Sequence, residues 1–316
     1  MKRIFSLVLS LLIGVSLCGC IKEQEDTRLK VVCTVFPQYD FVREIGGELV
    51  NAEMLLPFSV ESHDFSFDSL TVADLKKIAS CDLFIYIGGP SDKDWVGELK
   101  KSVKSDRTEY LALIDATDVL NESLSESMEH DHEDHDHLET ETIDEHIWTS
   151  PKRAIEIVDF ICAKLCELDK QNSEAYLNNA NNYKQRLIGA DNKLSKIESS
   201  GKKLIFADRF AFRYLCHDYG FSYDAAFPGC SSATDPSVSQ IASLTKSAKD
   251  SKAKSIFYLE NSDPAFAKNI ANAIGAKAVM LHSAHTVSKK EFENKISFIS
   301  ILENNILKIS EALKEQ

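Results

Sequence analysis

The sequence predicts an α/β protein of two (βα)4-like lobes with parallel sheets joined by a long helix. Three observations carry that expectation. Short apolar runs bounded by Pro, Gly or Asp alternate with helical patterns through both halves of the chain. Each half offers four such runs. Between the halves lies one long stripe, Tyr176, Tyr183, Leu187, Ala190, Leu194 and Ile197, with steps that fit a single helix face.

In order, the first-half strands are expected at Leu29–Phe36, Val50–Leu56, Cys81–Ile87 and Tyr110–Asp115, with helices at Asp40–Ile45 and Leu70–Ala79. Pro151 opens a helix, Lys152–Leu168. Asn172 or Ser173 caps a second helix that runs to about Glu198 and spans roughly 40 Å. Past Gly201 the strands are Lys203–Ala207, Ser222–Phe227, Lys254–Glu260 and Lys277–His282. Helices are expected at Phe210–Tyr219, Ser237–Lys249, Pro264–Ile274 and Lys289–Lys314.

The resulting division is a leader at 1–20, a polar tether at 21–28, a first lobe at 29–150, linking helices at 151–199 and a second lobe at 200–316. An acidic, His-rich loop at 121–145 belongs to the first lobe. Lys2 and Arg3 precede the apolar run Ile4–Leu17, which is shorter than the ~20 residues of a membrane span. The run ends in Leu17-Cys18-Gly19-Cys20, which resembles the lipobox of bacterial lipoproteins. That resemblance implies cleavage after Gly19, lipidation of Cys20, and an extracytoplasmic protein anchored to the cell membrane.

The net charge of −13 excludes nucleic acid as a natural partner. Most of the excess sits between Asn121 and His146, which carries eleven acids and neither Lys nor Arg. The same stretch holds His130, His132, His135 and His137, neutral imidazoles among carboxylates that suit an auxiliary metal loop. The cysteines from Cys33 onward form no CxxC pair, and several lie in apolar patterns, so they read as free buried thiols.

In an open parallel sheet, chemistry belongs to the loops after the strands' C-terminal ends. Ligand-type residues follow the strands at Glu61-Ser62-His63-Asp64, Asp144-Glu145-His146, Asp208-Arg209, Glu260 and His282-Ser283-Ala284-His285. Both halves contribute, which suits a shared site in the cleft between them. Imidazole with carboxylate suits Zn²⁺ best, with Mn²⁺ or Fe²⁺ as the alternative where oxygen ligands are more numerous. Asp64 and Asp144 are candidates to orient the imidazoles.

The run Lys30-Val31-Val32-Cys33-Thr34-Val35-Phe36-Pro37, the segment Phe41–Gly47, Cys81–Gly89 with Trp95, and Asp144–Trp148 together resemble the metal-binding lipoproteins of ABC importers, the cluster with a rigid linking helix. The resemblance implies a monomeric binding protein that delivers its metal to an ABC permease. It implies His63 and His146 as ligands. Arg209 stands in the slot of the third ligand, and a guanidinium cannot ligate, so Asp208 takes that role or the ligand is lost. His282 occupies the place of the fourth. His285, Glu260 and Cys230 are reserves. Ser62 and Glu145 stand where the family has Pro. The competing readings are a metal-dependent hydrolase and a cell-adhesion module. No HExxH, GxSxG or Walker A motif supports an enzyme.

Overall fold

The computed structural model describes residues 26–129, 142–231 and 236–316. The leader, Cys20, most of the tether and the four clustered histidines His130, His132, His135 and His137 lie outside the described residues.

The first half contains β1 (Leu29–Cys33), α1 (Phe36–Gly46), β2 (Val50–Met54), α2 (Val72–Ser80), β3 (Leu83–Tyr86), α3 (Pro90–Ser102) and β4 (Glu109–Ala112), then the short α4 (Glu126–Glu129). Two helices follow, α5 (Pro151–Leu168) and α6 (Ser173–Leu194). The second half contains β5 (Lys203–Arg209), α7 (Arg213–Tyr219), β6 (Ser222–Phe227), α8 (Val238–Asp250), β7 (Ser255–Leu259), α9 (Ala265–Ile274), β8 (Lys277–Leu281), α10 (Lys289–Glu293) and α11 (Phe298–Lys314).

Both sheets are four-stranded, with orders β2-β1-β3-β4 and β6-β5-β7-β8. Every pairing between these strands is parallel. The order reverses between the first and third strands of each half, where loops diverge and leave a crevice. All eight expected strands form, most of them shorter at their ends than the apolar runs suggested.

One helix is unexpected, and two helical expectations need correction. The segment Pro90–Ser102 is a full helix, although its apolar residues are few: Trp95, Val96 and Leu99 are buried on one face of an otherwise polar turn sequence. The long helix stops at Leu194, so its 22 residues span about 33 Å rather than 40. Finally, Lys289–Lys314 is two helices. The chain breaks at Lys295, whose φ is +55°. Ser297 then caps a new helix by accepting from the Ser300 amide, and the buried Asp40 carboxylate accepts from the amide of Phe298 at 2.9 Å.

Helix α6 buries Tyr176, Ala180, Tyr183, Leu187, Ala190 and Leu194. That face packs on α5, on α1 from the first half and on α11 from the second. Phe41 meets both Tyr183 and Phe298 edge-on, with ring centroids 6.0 and 4.9 Å apart. One apolar core therefore runs from β1 through the linking helices into β5 and α11. Cys33, Cys81, Cys162 and Cys216 are buried in it as free thiols, and Cys166 and Cys230 are free and half-buried. Among the described residues no helix is long and apolar enough to cross a membrane.

Candidate metal centre

Three loops at the C-terminal ends of the strands meet between the halves. The first follows β2. It carries His63 in a single 3-10 turn, Ser62–Asp64. The second follows β4 and brings His146 just ahead of another such turn, Ile147–Thr149. The third follows β8 and carries His282 to His285. The first and third loops are tied directly: the Ser59 amide donates to Thr286 Oγ1 at 3.0 Å and to the Val287 carbonyl at 3.2 Å.

His63, His146 and His285 converge. Each offers one nitrogen, and these atoms lie within 4.8 Å of one another. Ring centroids are 5.6 Å apart for His63 and His146, 5.1 Å for His63 and His285, and 5.4 Å for His146 and His285. Donors around a tetrahedral zinc sit about 3.3 Å apart, given N–Zn distances of about 2.0–2.1 Å. A small inward shift of three imidazoles therefore suffices to seat the ion.

The three rings are nearly sealed. His146 is 2% exposed, His285 1%, and the His63 side chain 5%. His63 Nε2 and His285 Nδ1 are buried without a hydrogen-bond partner. A buried polar atom left unpaired costs about 1–3 kcal/mol, so such atoms in a tight cluster mark a place built for a ligand. Burial pushes His63 down to about 3, helped by the nearby charges of His146 and Arg209. Burial likewise holds His285 well below its ordinary value. Both rings are therefore neutral near pH 7 and keep a lone pair for a cation. Burial also works against charge on His146, but Asp144, Glu145 and Glu61 together hold it above its ordinary value.

Supporting groups fix the rings. Asp144 Oδ1 accepts from the His146 amide at 2.8 Å and lies 3.2 Å from His146 Nδ1. It orients that ring as expected; Asp64 is exposed. Ser62 Oγ is 2.8 Å from His285 Nε2. Trp148, fully buried, donates from Nε1 to the Ser283 carbonyl at 2.9 Å, with its ring 5.4 Å from that of His285. Gly229 lets the opposite wall close in. A Cβ there would stand 2.8 Å from the Phe210 carbonyl oxygen and 3.3 Å from His146 Cε1.

The structure places the other expected ligands differently. His282 is not in the converging group. Its amide donates to Asn305 Oδ1 at 3.0 Å, its carbonyl accepts from Asn305 Nδ2 at 2.7 Å, and its ring faces Glu260 and Glu291 at 3.3 and 3.6 Å. The reason lies at Ala284, whose φ is +62°. This left-handed residue reverses the chain between the two histidines and aims His285 into the cleft. Glu260 is occupied by the same loop, accepting from the Ser283 amide at 2.8 Å and from its hydroxyl at 2.7 Å.

Asp208 is also outside the group. Its carboxylate accepts the Leu259 amide at 2.9 Å and the Arg209 amide at 2.8 Å, which stitches the end of β5 to β7. Arg209 reaches across to Glu61 through two parallel bonds of 2.7 and 3.0 Å. Burial opposes charge on both, and each partner favours the ionised form of the other. This bridge between the halves was not foreseen. The cation in a ligand slot beside an unassigned Glu61 was the signal for it.

Two four-stranded halves of like topology, joined by packed helices, bring these donors together between them. The chain belongs to the family described as ZnuA, zinc-uptake complex component A periplasmic, whose model matches residues 31–312. It is 29% identical over 296 residues to the high-affinity zinc uptake system protein ZnuA of Bacillus subtilis, covering 92% of this chain and 89% of that one. It is 28% identical over 318 residues to the zinc-binding lipoprotein AdcA of Streptococcus pneumoniae. That match covers 100% of this chain, which spans 62% of the relative's length.

Among solved structures, the metal-dependent lipoprotein YcdH of B. subtilis superposes with a TM-score of 0.71 at 28% identity, covering 90% of this chain and 99% of that one. The Zn(II)-bound ZnuA-like domain of S. pneumoniae AdcA superposes with a TM-score of 0.73 at 24% identity, covering 92% and 100%. This second likeness speaks for the fold.

Proposed function

We propose that this chain is an extracytoplasmic binding protein, held at the membrane by a lipid on Cys20, that captures Zn²⁺ as its cargo and delivers it as a monomer to an ABC permease. The observation that carries the proposal is the convergence of His63, His146 and His285 from three separate loops, with buried nitrogens left without partners. An imidazole-rich set favours zinc over manganese, which prefers oxygen donors. Family membership and the zinc-named relatives point the same way.

In this reading His63, His146 and His285 are the core ligands, and His285 takes the role that the sequence assigned to His282. Asp208 serves the sheet rather than the ion. Neutral His63 and His285 accept the cation without first losing a proton. Asp144 keeps the His146 ring in register. The Glu61–Arg209 pair adds no net charge beside the cleft, so it screens the cargo from the isolated guanidinium. Because one core spans both halves, capture proceeds by ordering of the loops rather than by wide closure. Release requires the permease to compete with or distort the ligand set.

The test is zinc-limited growth of a host deleted for this chain. The wild type is expected to restore growth, and the His63→Ala/His146→Ala form is expected to fail at equal abundance. Equal rescue by both would contradict the proposal.

A further inference from the structure

A second donor group lies beside the three imidazoles. His63, Glu145 and Cys230 each offer one ligand atom, and these atoms also lie within 4.8 Å of one another. The two groups share only His63. A neutral imidazole has one nitrogen lone pair to give, so they are alternative positions for one ion.

The second group reaches nearer the surface through Cys230 alone, which is half-buried; Glu145 is fully buried, the shared His63 side chain nearly so, and His146 and His285 of the first group are buried. Its members are held in place. The Ser91 amide donates to Glu145 Oε1 at 2.6 Å, the Ser91 hydroxyl donates to Oε2, and His63 Nδ1 lies 3.7 Å from Oε2. A carboxylate has about four lone-pair positions, so these contacts leave room for a metal. Gly89 makes the space for Glu145, since a Cβ there would stand 2.4 Å from Oε1. The Cys230 amide is fixed by Glu122 Oε1 at 2.6 Å.

Thiolate, imidazole and carboxylate together suit borderline and soft divalent cations such as Zn²⁺, Co²⁺ and Cd²⁺. A thiolate is a poor ligand for Mn²⁺, Mg²⁺ or Ca²⁺. The geometry points to His63, Glu145 and Cys230 as an entry position that holds a thiol-seeking divalent cation before it passes to His146 and His285. As the sulfur–metal bond forms, the thiol proton leaves to solvent, and nothing is oxidised or reduced. When the ion moves inward, the thiolate takes a proton back. Such a filter acts before the deep site, through Cys230 on the loop after β6, which carries none of the three imidazoles. The inference rests on the capture reading above and deepens it.

Cobalt reports the two positions separately, because only a sulfur ligand gives a thiolate-to-cobalt charge-transfer absorption. The full chain is kept in detergent with a phosphine reductant and mixed rapidly with Co²⁺. The wild type is expected to show this absorption early and then lose it as the d–d bands of the imidazole site grow. His285→Gln, which weakens the deep set, is expected to hold the absorption at equilibrium. Adding Cys230→Ser to either form is expected to abolish it. The proposal is overturned if His285→Gln binds cobalt without a thiolate band, if it binds none while the wild type does, or if the band survives Cys230→Ser. A wild type that takes neither cobalt nor zinc would instead overturn the capture reading. The clustered histidines of the acidic loop include no cysteine and cannot produce the signal.

Discussion

The two halves of the molecule share one sheet order, yet their strand-end loops carry different chemistry. The first half sends two imidazoles and the Glu61 carboxylate into the cleft. The second sends one imidazole, His285, and the Arg209 cation. Equivalent topology thus supplies equivalent places, and single residues decide whether a place becomes a ligand, a counter-charge or a structural tie. Asp208 and His282 show the third outcome: both stand at strand ends, the Asp208 carboxylate accepts two backbone amides, and His282 Nδ1 accepts the Ala284 amide while its ring faces Glu260 and Glu291.

Removing donors from the first half should have the largest effect. Single His63→Ala or His146→Ala changes are expected to weaken zinc binding by more than the roughly 10–100-fold that loss of an orienting partner costs. Competition with a calibrated chelator measures this. Next comes the bridge between the halves. Arg209→Ala leaves Glu61 mostly buried and unpaired, and breaking such a pair costs roughly 3 kcal/mol. Urea unfolding should show this loss. The Glu61→Gln/Arg209→Gln double variant should recover a good part of it, and a double-mutant cycle gives the coupling.

A third expectation concerns Asp40, which joins α1 to the start of α11 and so fastens one half to the other. Burial raises its carboxyl from 3.8 to about 6, against the pull of Arg43. The folded state therefore holds this proton more tightly than the unfolded state. The sign follows directly: Asp40 destabilises the fold when ionised, so stability falls as pH rises from about 4 through about 6. The shift is about two pH units, worth up to about 3 kcal/mol. Asp40→Asn should remove that slope in unfolding curves taken across this range. The smallest effect is expected at Asp144. Asp144→Asn keeps the shape but loosens the His146 ring, at a cost of roughly 10-fold in zinc affinity.

Much of this architecture was legible in the sequence, because parallel strands buried on both faces give apolar runs that periodicity finds. The stripe on α6 was equally plain. The helix Pro90–Ser102 was missed because only a narrow face of it is apolar. The split at Lys295 was missed because the capping Ser297 and the partner of Phe298, Asp40, lie 257 residues apart. The site divides in the same way. His63 and His146, which the structure brings together, were legible as candidates because each follows a recognisable strand in a ligand-rich loop. His282 was preferred to His285 because it sits at the strand end, and nothing in the sequence announces a left-handed Ala284. Glu61 and Arg209 were visible one at a time, but their pairing depends on how the two halves meet.

The account turns on which histidine of one loop points into the cleft. Zinc titration of the full chain as wild type, His285→Ala and His282→Ala puts that question directly, with the acidic segment Glu129–His137 deleted in all three to leave the cleft alone. One tight equivalent is predicted for the wild type and for His282→Ala, and none for His285→Ala. Tight binding that survives His285→Ala but disappears with His282→Ala would contradict the account.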